Sequence, residues 1–509
     1  MLDQFWKQFK SGTDVRGVAS EGVSGESVNL TDEVIEKITG AFLVWLQKKT
    51  GRPACDLTIA VGHDSRISAS RISSAVCATL QKAGVSVLDC GLASTPSMFM
   101  TTVDLHCPGA VQITASHHPF NRNGLKFFTR EGGLEGDELV AILELAQNGV
   151  MPEPAGTPGT VTPTDYMTDY AASLRDLIKK GVQADDYDHP LSGFHIVVDA
   201  GNGAGGFYAQ NVLAPLGADI TGSQFLEPDG MFPNHIPNPE NAQAMASICQ
   251  AVKQSGADLG VIFDTDVDRG GAVDENGEEI NRNRLVAVAS YIALQQNPGG
   301  TIVTDSITSD GLHTYIEETL GGHHHRFRRG YKNVIDEAVR LNKEGINCPL
   351  AIETSGHAAL RENYFLDDGA YLCTRIIILA AQLRREGKKL GDLLRPLKEA
   401  VEEKEIRLPI LESDFRPCGE AVIENLTAYA KEQGWQIAPD NYEGIRVSFG
   451  PENGDGWFLL RLSVHDPIMP LNLESNQPGG VKKMAAQLGA FLSGCQGLDC
   501  APLQSFIDA

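Results

Sequence analysis

The strongest constraint on how this chain folds is a repeating alternation of short apolar, β-branched runs with helical stretches. Leu57-Thr-Ile-Ala-Val-Gly62 reads as a strand, 70–83 as a helix and Val85-Ser-Val-Leu88 as the next strand. The unit returns at His195-Ile-Val-Val-Asp199, which is followed by a glycine-rich turn at 201–206 and a further helix. It returns again at 257–263 and at Thr301-Ile-Val-Thr304. Such alternation implies α/β layers built on mainly parallel sheets. In those sheets the functional loops leave the carboxyl ends of the strands. The chemically unusual stretches of this chain sit at such positions.

Three breaks divide the chain. The segment 151–164 is rich in Pro, Gly and Thr and reads as a linker. A helix expected over 281–293 is broken by Asn297-Pro-Gly-Gly300, and a charged helix expected over 390–405 ends before Leu408-Pro-Ile410. The expected domains are therefore 1–160, 161–298, 299–408 and 409–509, the last a smaller α+β unit.

A net charge of −24 disfavours nucleic acid or an anionic membrane as a partner, because both need basic surface. An anionic substrate then requires a local basic pocket. Ten cysteines, none in a C-x-x-C pair, fit reduced thiols in a reducing compartment. The start, MLDQFWKQFK, lacks the apolar core of a signal peptide, and no apolar run approaches a membrane span. The expected location is the cytoplasm, or the plastid stroma if a transit peptide has been removed. No oligomeric state follows from the sequence.

At 263–271 the chain reads FDTDVDRGG. Asp264, Asp266 and Asp268 repel one another unless a cation lies among them. A calcium loop opens in the same way, and Glu275 even falls at its twelfth position. That loop needs glycine at position six, where this chain has Arg269, and a preceding helix, where this chain has an apolar strand. Taken alone, the triplet also fits a solvated acidic turn. The hairpin signal Glu275-Asn-Gly277 lies just beyond it.

A second stretch, ITASHHPFNRNGLKFF at 113–128, puts Ser116 on a loop beside His117 and His118. A serine hydroxyl becomes a nucleophile with help from a base or a metal; a polar turn ending at Pro119 is the plain alternative. There is no G-x-S-x-G elbow, so hydrolase triad chemistry fits poorly. The run His323-His-His325 looks like a metal site. Consecutive residues cannot all face one ion, however, and an exposed loop is expected there.

T-A-S-H-H-P, N-G-L-K and D-T-D-V-D-R together resemble the α-D-phosphohexomutases: phosphoglucomutase, phosphomannomutase and phosphoglucosamine mutase. The resemblance runs from SGTDVRG at 11–17 to RLSVHDP at 461–467. It implies three related α/β domains with mixed, mainly parallel sheets plus a smaller C-terminal domain around a central cleft. It also implies interconversion of hexose 1-phosphate and hexose 6-phosphate, with Ser116 carried as a phosphoserine. Ser116, Asp264, Asp266 and Asp268 would bind one Mg²⁺, and a hexose 1,6-bisphosphate would act as activator. Lys126 resembles the family's general acid/base, and Arg16, Arg66 and Arg269 match arginines around the phosphoserine. His117 would either assist proton transfer or hold the loop.

Glu353-Thr-Ser-Gly-His357 resembles the family's sugar loop. There Glu353 and Ser355 would bond the sugar hydroxyls and His357 would hold the loop. Lys332, in Gly330-Tyr-Lys-Asn333, lies where the family has a second substrate loop; a helix-capping role for Asn333 is the alternative. The family's phosphate loop commonly reads R-x-S-G-T-E-P. This chain keeps Arg461, Ser463 and Pro467 but has Val464, His465 and Asp466. Arg461 would be the chief phosphate anchor, with Ser463 and His465 beside it in altered geometry. The family commonly has Asn at the position of His118. Phosphoglucosamine mutase, a silent sugar-phosphate-binding homologue and a phosphatase stay open as other readings.

Overall fold

The apolar run Thr58–His63 becomes the middle of the first sheet, because both of its faces are covered. In this computed structural model, which describes residues 1–463 and 466–509, the chain forms two compact units. The first comprises Met1–Asn281, Ser355–Ala359 and Leu366–Leu390. The second comprises Arg282–Thr354, Leu360–Phe365 and Gly391–Ala509.

The first unit holds two sheets. In the larger, Thr58–His63 pairs in parallel with Ser86–Leu92 on one side and Gly109–Ile113 on the other. Arg122–Thr129 and then Asp14–Val18 extend it antiparallel. Helices Asp32–Thr50, Ala69–Lys82 and Gly136–Gln147 contribute Phe42, Ile72 and Leu139 to its core. The expected linker 151–164 is not free throughout. It ends in strand Val161–Pro163, which adds in parallel at the sheet edge, where a proline's missing N–H costs no ladder bond.

In the smaller sheet Ile196–Asp199 runs parallel to Leu259–Phe263, which turns back antiparallel into Gly270–Asp274. The expected hairpin follows, with Gly277 at φ 70° before Glu279–Ile280. The helix expected after the glycine-rich turn is irregular. A 3₁₀ turn at Ala204–Gly206, a π-helical segment Tyr208–Leu213 and a 3₁₀ turn at Ala214–Leu216 replace it. Pro215 cannot donate to the Asn211 carbonyl four residues back, and Arg175 Nη1 donates to that carbonyl instead.

In the second unit Thr301–Thr304 lies between His323–Arg326 and Leu350–Ile352, all parallel. The histidine run is thus a strand, not an exposed loop, and its side chains alternate in direction. His324 Nε2 lies 2.8 Å from Thr304 Oγ1, while His325 Nε2 lies 2.9 Å from Glu337. The last sheet is antiparallel, in the order Glu402–Pro409, Ile468–Ser475, Gly456–Leu460, Ile445–Phe449, Gln436–Ile437. Phe415–Glu432 and Gly480–Leu492 supply the helices of its core.

The charged helix expected over 390–405 is corrected here. It is a short helix, Leu390–Leu394, followed by the edge strand Glu402–Pro409. Within that strand Ile406 and Leu408 are buried and alternate with exposed Glu405 and Arg407 or their neighbours, a period of two. Charge on a sheet edge discourages pairing with other chains. The sheet therefore begins at Glu402 and crosses the boundary expected at 408/409.

Candidate active site

The first site element is the loop leaving strand Gly109–Ile113. Thr114 Oγ1 donates to Asp64 Oδ2 at 2.7 Å and accepts from the Ser116 N–H at 2.9 Å. Ser116 is held at φ 47°, left-handed backbone that is uncommon outside glycine. The Arg66 side chain is buried, and its guanidinium donates to the carbonyls of Ser116, His118, Pro119 and Arg122. Arg16 donates to the Thr114 carbonyl and pairs with Asp14 at 2.9 Å. The glycine of N-G-L-K has a steric reason. Gly124 sits opposite Arg16 in the ladder, and a Cβ there would fall 1.9 Å from the Val15 carbonyl oxygen.

The second element is the hairpin loop between Phe263 and Gly270. Asp264, Asp266 and Asp268 are buried, with ligand oxygens within 4.8 Å of one another. Asp264 Oδ2 accepts from Ser116 Oγ at 2.9 Å, which joins the two loops. Thr95, in the first turn of helix Thr95–Asp104, donates its hydroxyl to Asp266 Oδ2 and its N–H to the Asp266 carbonyl. Lys126 Nζ lies 2.5 Å from Asp268 Oδ2, 3.9 Å from Asp14 and 4.0 Å from Asp266. Between the aspartates, buried Val267 sits at φ 67°, a strained position for a β-branched residue.

Arg269 connects these parts. Its Nη2 reaches Ser116 Oγ at 3.1 Å, Asp264 Oδ2 at 3.0 Å and His117 Nδ1 at 2.7 Å. Burial opposes its charge, but Asp264 and Asp268 more than offset that and keep the guanidinium protonated. For His117, burial and then Arg269 push the pKa down to about 2, so the ring is neutral. An arginine N–H can only donate, so His117 Nδ1 is an acceptor. Burial and the Arg16 charge likewise bring His118 down to about 4.

Asp264 is driven well above the carboxylate range by burial and then by Asp268 and Asp266. Asp266 Oδ1 and Asp268 Oδ1 are buried without a hydrogen-bond partner. Orphaned carboxylate oxygens within so close a cluster of aspartates suit a hard divalent cation. His357 extends the cluster, with Nδ1 on the Asp367 carboxylate. Burial opposes its protonation, but Asp367 and Asp268 outweigh that and bring it up to about 9. Ser355, expected in the sugar loop, is buried in this same unit.

Other expected residues belong to the second unit. Glu353 is buried and accepts from the Gly330 N–H at 2.6 Å, while Thr354 donates to Asp305 at 2.8 Å. Burial and the Glu353 charge push Asp305 up to about 7. Lys332 pairs with Asp336 along helix Tyr331–Lys343. The helix cap is Gly330 rather than Asn333, which donates from its third turn position to the Arg329 carbonyl. Arg461 is buried 3.4 Å from Glu443, whose other oxygen accepts from Ser306 and the Arg329 N–H. Ser463 Oγ accepts from the Asp466 N–H at 3.2 Å. His465 and Val464 lie outside the described residues.

Asp64, Thr95 and Asp14 take part in the site, and none of them was singled out from the sequence. Asp64 and Thr95 follow strand ends, at Gly62-His-Asp and Leu92-Ala-Ser-Thr, and that position was the available signal.

Comparison with known proteins gives three family matches. Phosphoglucomutase/phosphomannomutase alpha/beta/alpha domain I matches residues 8–149, domain II residues 170–277 and domain III residues 281–400. A phosphoglucomutase of Neisseria gonorrhoeae is 30% identical over 440 residues, 85% of this chain and 88% of that protein. A phosphomannomutase/phosphoglucomutase of Pseudomonas syringae pathovar tomato is 27% identical over 92% of each chain. A crystal structure of a phosphoglucomutase/phosphomannomutase family protein from Burkholderia thailandensis superposes with a TM-score of 0.77 at 26% identity. That match covers 97% of this chain and 99% of the other. Among the described residues no helix is long and apolar enough to cross a membrane.

Proposed function

The chain belongs to the phosphoglucomutase/phosphomannomutase family of phosphohexomutases, isomerases by reaction class, and on that premise we propose how it acts and on what. It interconverts hexose 1-phosphate and hexose 6-phosphate of the glucose and mannose series through phospho-Ser116 and a bisphosphorylated sugar. The observation that carries this reading is Ser116 Oγ set between Asp264 Oδ2 at 2.9 Å and Arg269 Nη2 at 3.1 Å. A serine meeting both a carboxylate metal seat and a buried guanidinium suits phosphoryl transfer.

In the first half-reaction the bond from phosphorus to Ser116 Oγ breaks as a bond to a sugar oxygen forms. Overall, one proton passes from the sugar hydroxyl to Ser116 Oγ, with Lys126 as carrier. The freed hydroxyl then donates to Asp264 and accepts from Arg269. The second half-reaction returns the sugar's other phosphate to Ser116. Mg²⁺, held by Asp264, Asp266, Asp268 and the phosphate on Ser116, would offset charge on the transferring group. Arg66 and Arg16 hold the serine loop through its carbonyls, and neutral His117 positions Arg269 rather than moving protons. Glu353 and Ser355 recognise sugar hydroxyls, His357 holds their loop, and Lys332 contributes from its neighbouring helix. Arg461, with Ser463 and His465, takes the non-transferring phosphate.

The test compares kcat/KM on glucose, mannose and glucosamine 1-phosphates with Mg²⁺ and a hexose 1,6-bisphosphate. Turnover to the 6-phosphate, faster on glucose or mannose than on glucosamine, is expected. Net release of inorganic phosphate as the main product would instead indicate a phosphatase.

A further inference from the structure

One segment outside the reacting groups touches two of the three arginines around Ser116, Arg66 and Arg269. It is the connection 229–241, which precedes helix Ala242–Ser255 in the first unit. Its start packs on the loop carrying Arg66. A Cβ on Gly230 would fall 2.4 Å from both the Ile67 nitrogen and the Ser65 carbonyl oxygen, so only glycine fits. Phe232 lays its ring against the Arg66 guanidinium, 5.3 Å from carbon to ring centre. It does so at φ 50°, a left-handed conformation that an aromatic residue keeps only when its surroundings impose it.

The far end reaches Arg269. Asn238 Oδ1 accepts from Arg269 Nη1 at 3.2 Å and from the Glu240 N–H at 2.9 Å. Arg269 uses its other nitrogens on Ser116, His117 and Asp264, so Asn238, with the Glu240 carboxylate 3.9 Å from the same Nη1, fixes the remaining arm of the fork. Asn241 then caps the following helix by accepting from Gln243 and Ala244.

Between these ends the connection is anchored in the protein interior. His235 Nε2 lies 3.1 and 3.0 Å from the two oxygens of Asp199, and its Nδ1 lies 3.0 Å from the Ile236 carbonyl. Both side chains are buried. Asp199 ends strand Ile196–Asp199 and also accepts from Gly201 N–H and Gln224. Asn234 adds a bond to Asn202. A buried carboxylate–imidazole pair with its remaining groups satisfied makes a rigid support, and breaking one partner leaves the other unpaired.

We infer that the 229–241 connection is a brace, anchored by His235 and Asp199, that positions Arg66 and Arg269 on Ser116. Its residues touch neither sugar nor phosphorus; they act through the arginines. The inference rests on the phosphoserine reading above. Small displacement of a positioning group costs rate more than binding.

The test uses the full chain with Mg²⁺. Steady-state kcat and KM on glucose 1-phosphate are measured alongside single-turnover phosphate transfer from glucose 1,6-bisphosphate to Ser116. Asn238→Ala should lower kcat and the transfer rate by about tenfold or more, with KM and melting temperature little changed. His235→Ala should lower both rates to a similar extent with KM little changed, but with a lowered melting temperature, because it leaves buried Asp199 without its partner. Asn238→Asp, which keeps an acceptor for Arg269, should recover most of the loss. The double variant should be no slower than the slower single one, because both act through one device. Wild-type rates in Asn238→Ala, losses confined to KM, or losses that multiply in the double variant would overturn the brace. If His235→Ala does not fold, the two Asn238 variants decide the matter alone. A wild-type chain that never phosphorylates Ser116 would sink the functional reading instead, which keeps the two failures apart.

Discussion

In the serine loop and the aspartate loop the backbone leaves its ordinary regions, with Ser116 at φ 47° and Val267 at φ 67°. Each such residue costs about 1–3 kcal/mol and persists only where its surroundings over-determine it. Here those surroundings are Thr114, Arg66 and Gly369, whose N–H donates to the Val267 carbonyl at 3.1 Å. The motif residues were legible because each loop is contiguous. Thr95 was not, since it meets Asp266 from 171 residues away, and its place just after strand Ser86–Leu92 at a helix start is the one signal S-T-P carries. Its hydroxyl orients a carboxylate whose other oxygen has no partner. Groups that orient metal ligands typically contribute tenfold or more to affinity. Thr95→Val should therefore raise the Mg²⁺ concentration for half-maximal activity by about tenfold or more, with maximal activity largely retained. An unchanged Mg²⁺ titration would show that the Thr95 bond does not tune the seat.

At the scale of elements, alternation alone placed Thr58–His63, Ile196–Asp199, Leu259–Phe263 and Thr301–Thr304, since their apolar runs are short and bounded. Over 390–405 it held only for Leu390–Leu394; beyond that the charged residues read as helix in fact line an edge strand. Register in that last sheet also puts a polar pair inside. Trp457 faces Glu474 across the ladder and donates Nε1 to it at 2.6 Å, with the Arg446 guanidinium 3.5 Å above the indole. Burial raises Glu474 from about 4.5 to about 7, against the opposing Trp457 bond and Arg446 charge. A carboxyl with a raised folded pKa contributes its full stability below about 4.5 and loses it as pH rises through about 7. Relative to Glu474→Gln, which keeps an acceptor for Trp457, the wild type should lose up to about 3 kcal/mol between pH 4.5 and 7.5. Urea unfolding of both proteins across that range checks this, and parallel pH profiles would contradict it.

At the scale of the whole molecule, each compact unit has its own apolar core, and the aspartate triplet belongs to the first alone. Calorimetry should accordingly show Mg²⁺ stabilising the transition of the first unit, by about 2.7 kcal/mol at a hundred times its Kd. The second unit's transition should stay where it is, and Asp264→Asn with Asp266→Asn should remove the shift. The two-unit division itself was not legible, because contiguous breaks in composition cannot reveal that 355–359 and 366–390 return to the first unit. The central claim is that Ser116 carries the transferring phosphate. Intact-mass measurement of phosphatase-treated protein, before and after addition of a hexose 1,6-bisphosphate and Mg²⁺, tests it most directly. The wild type should gain one phosphate, located on Ser116 and removable by glucose 1-phosphate, while Ser116→Ala should gain none and turn over no substrate. A wild-type mass that never changes, or a Ser116→Ala enzyme with undiminished turnover, would contradict the claim.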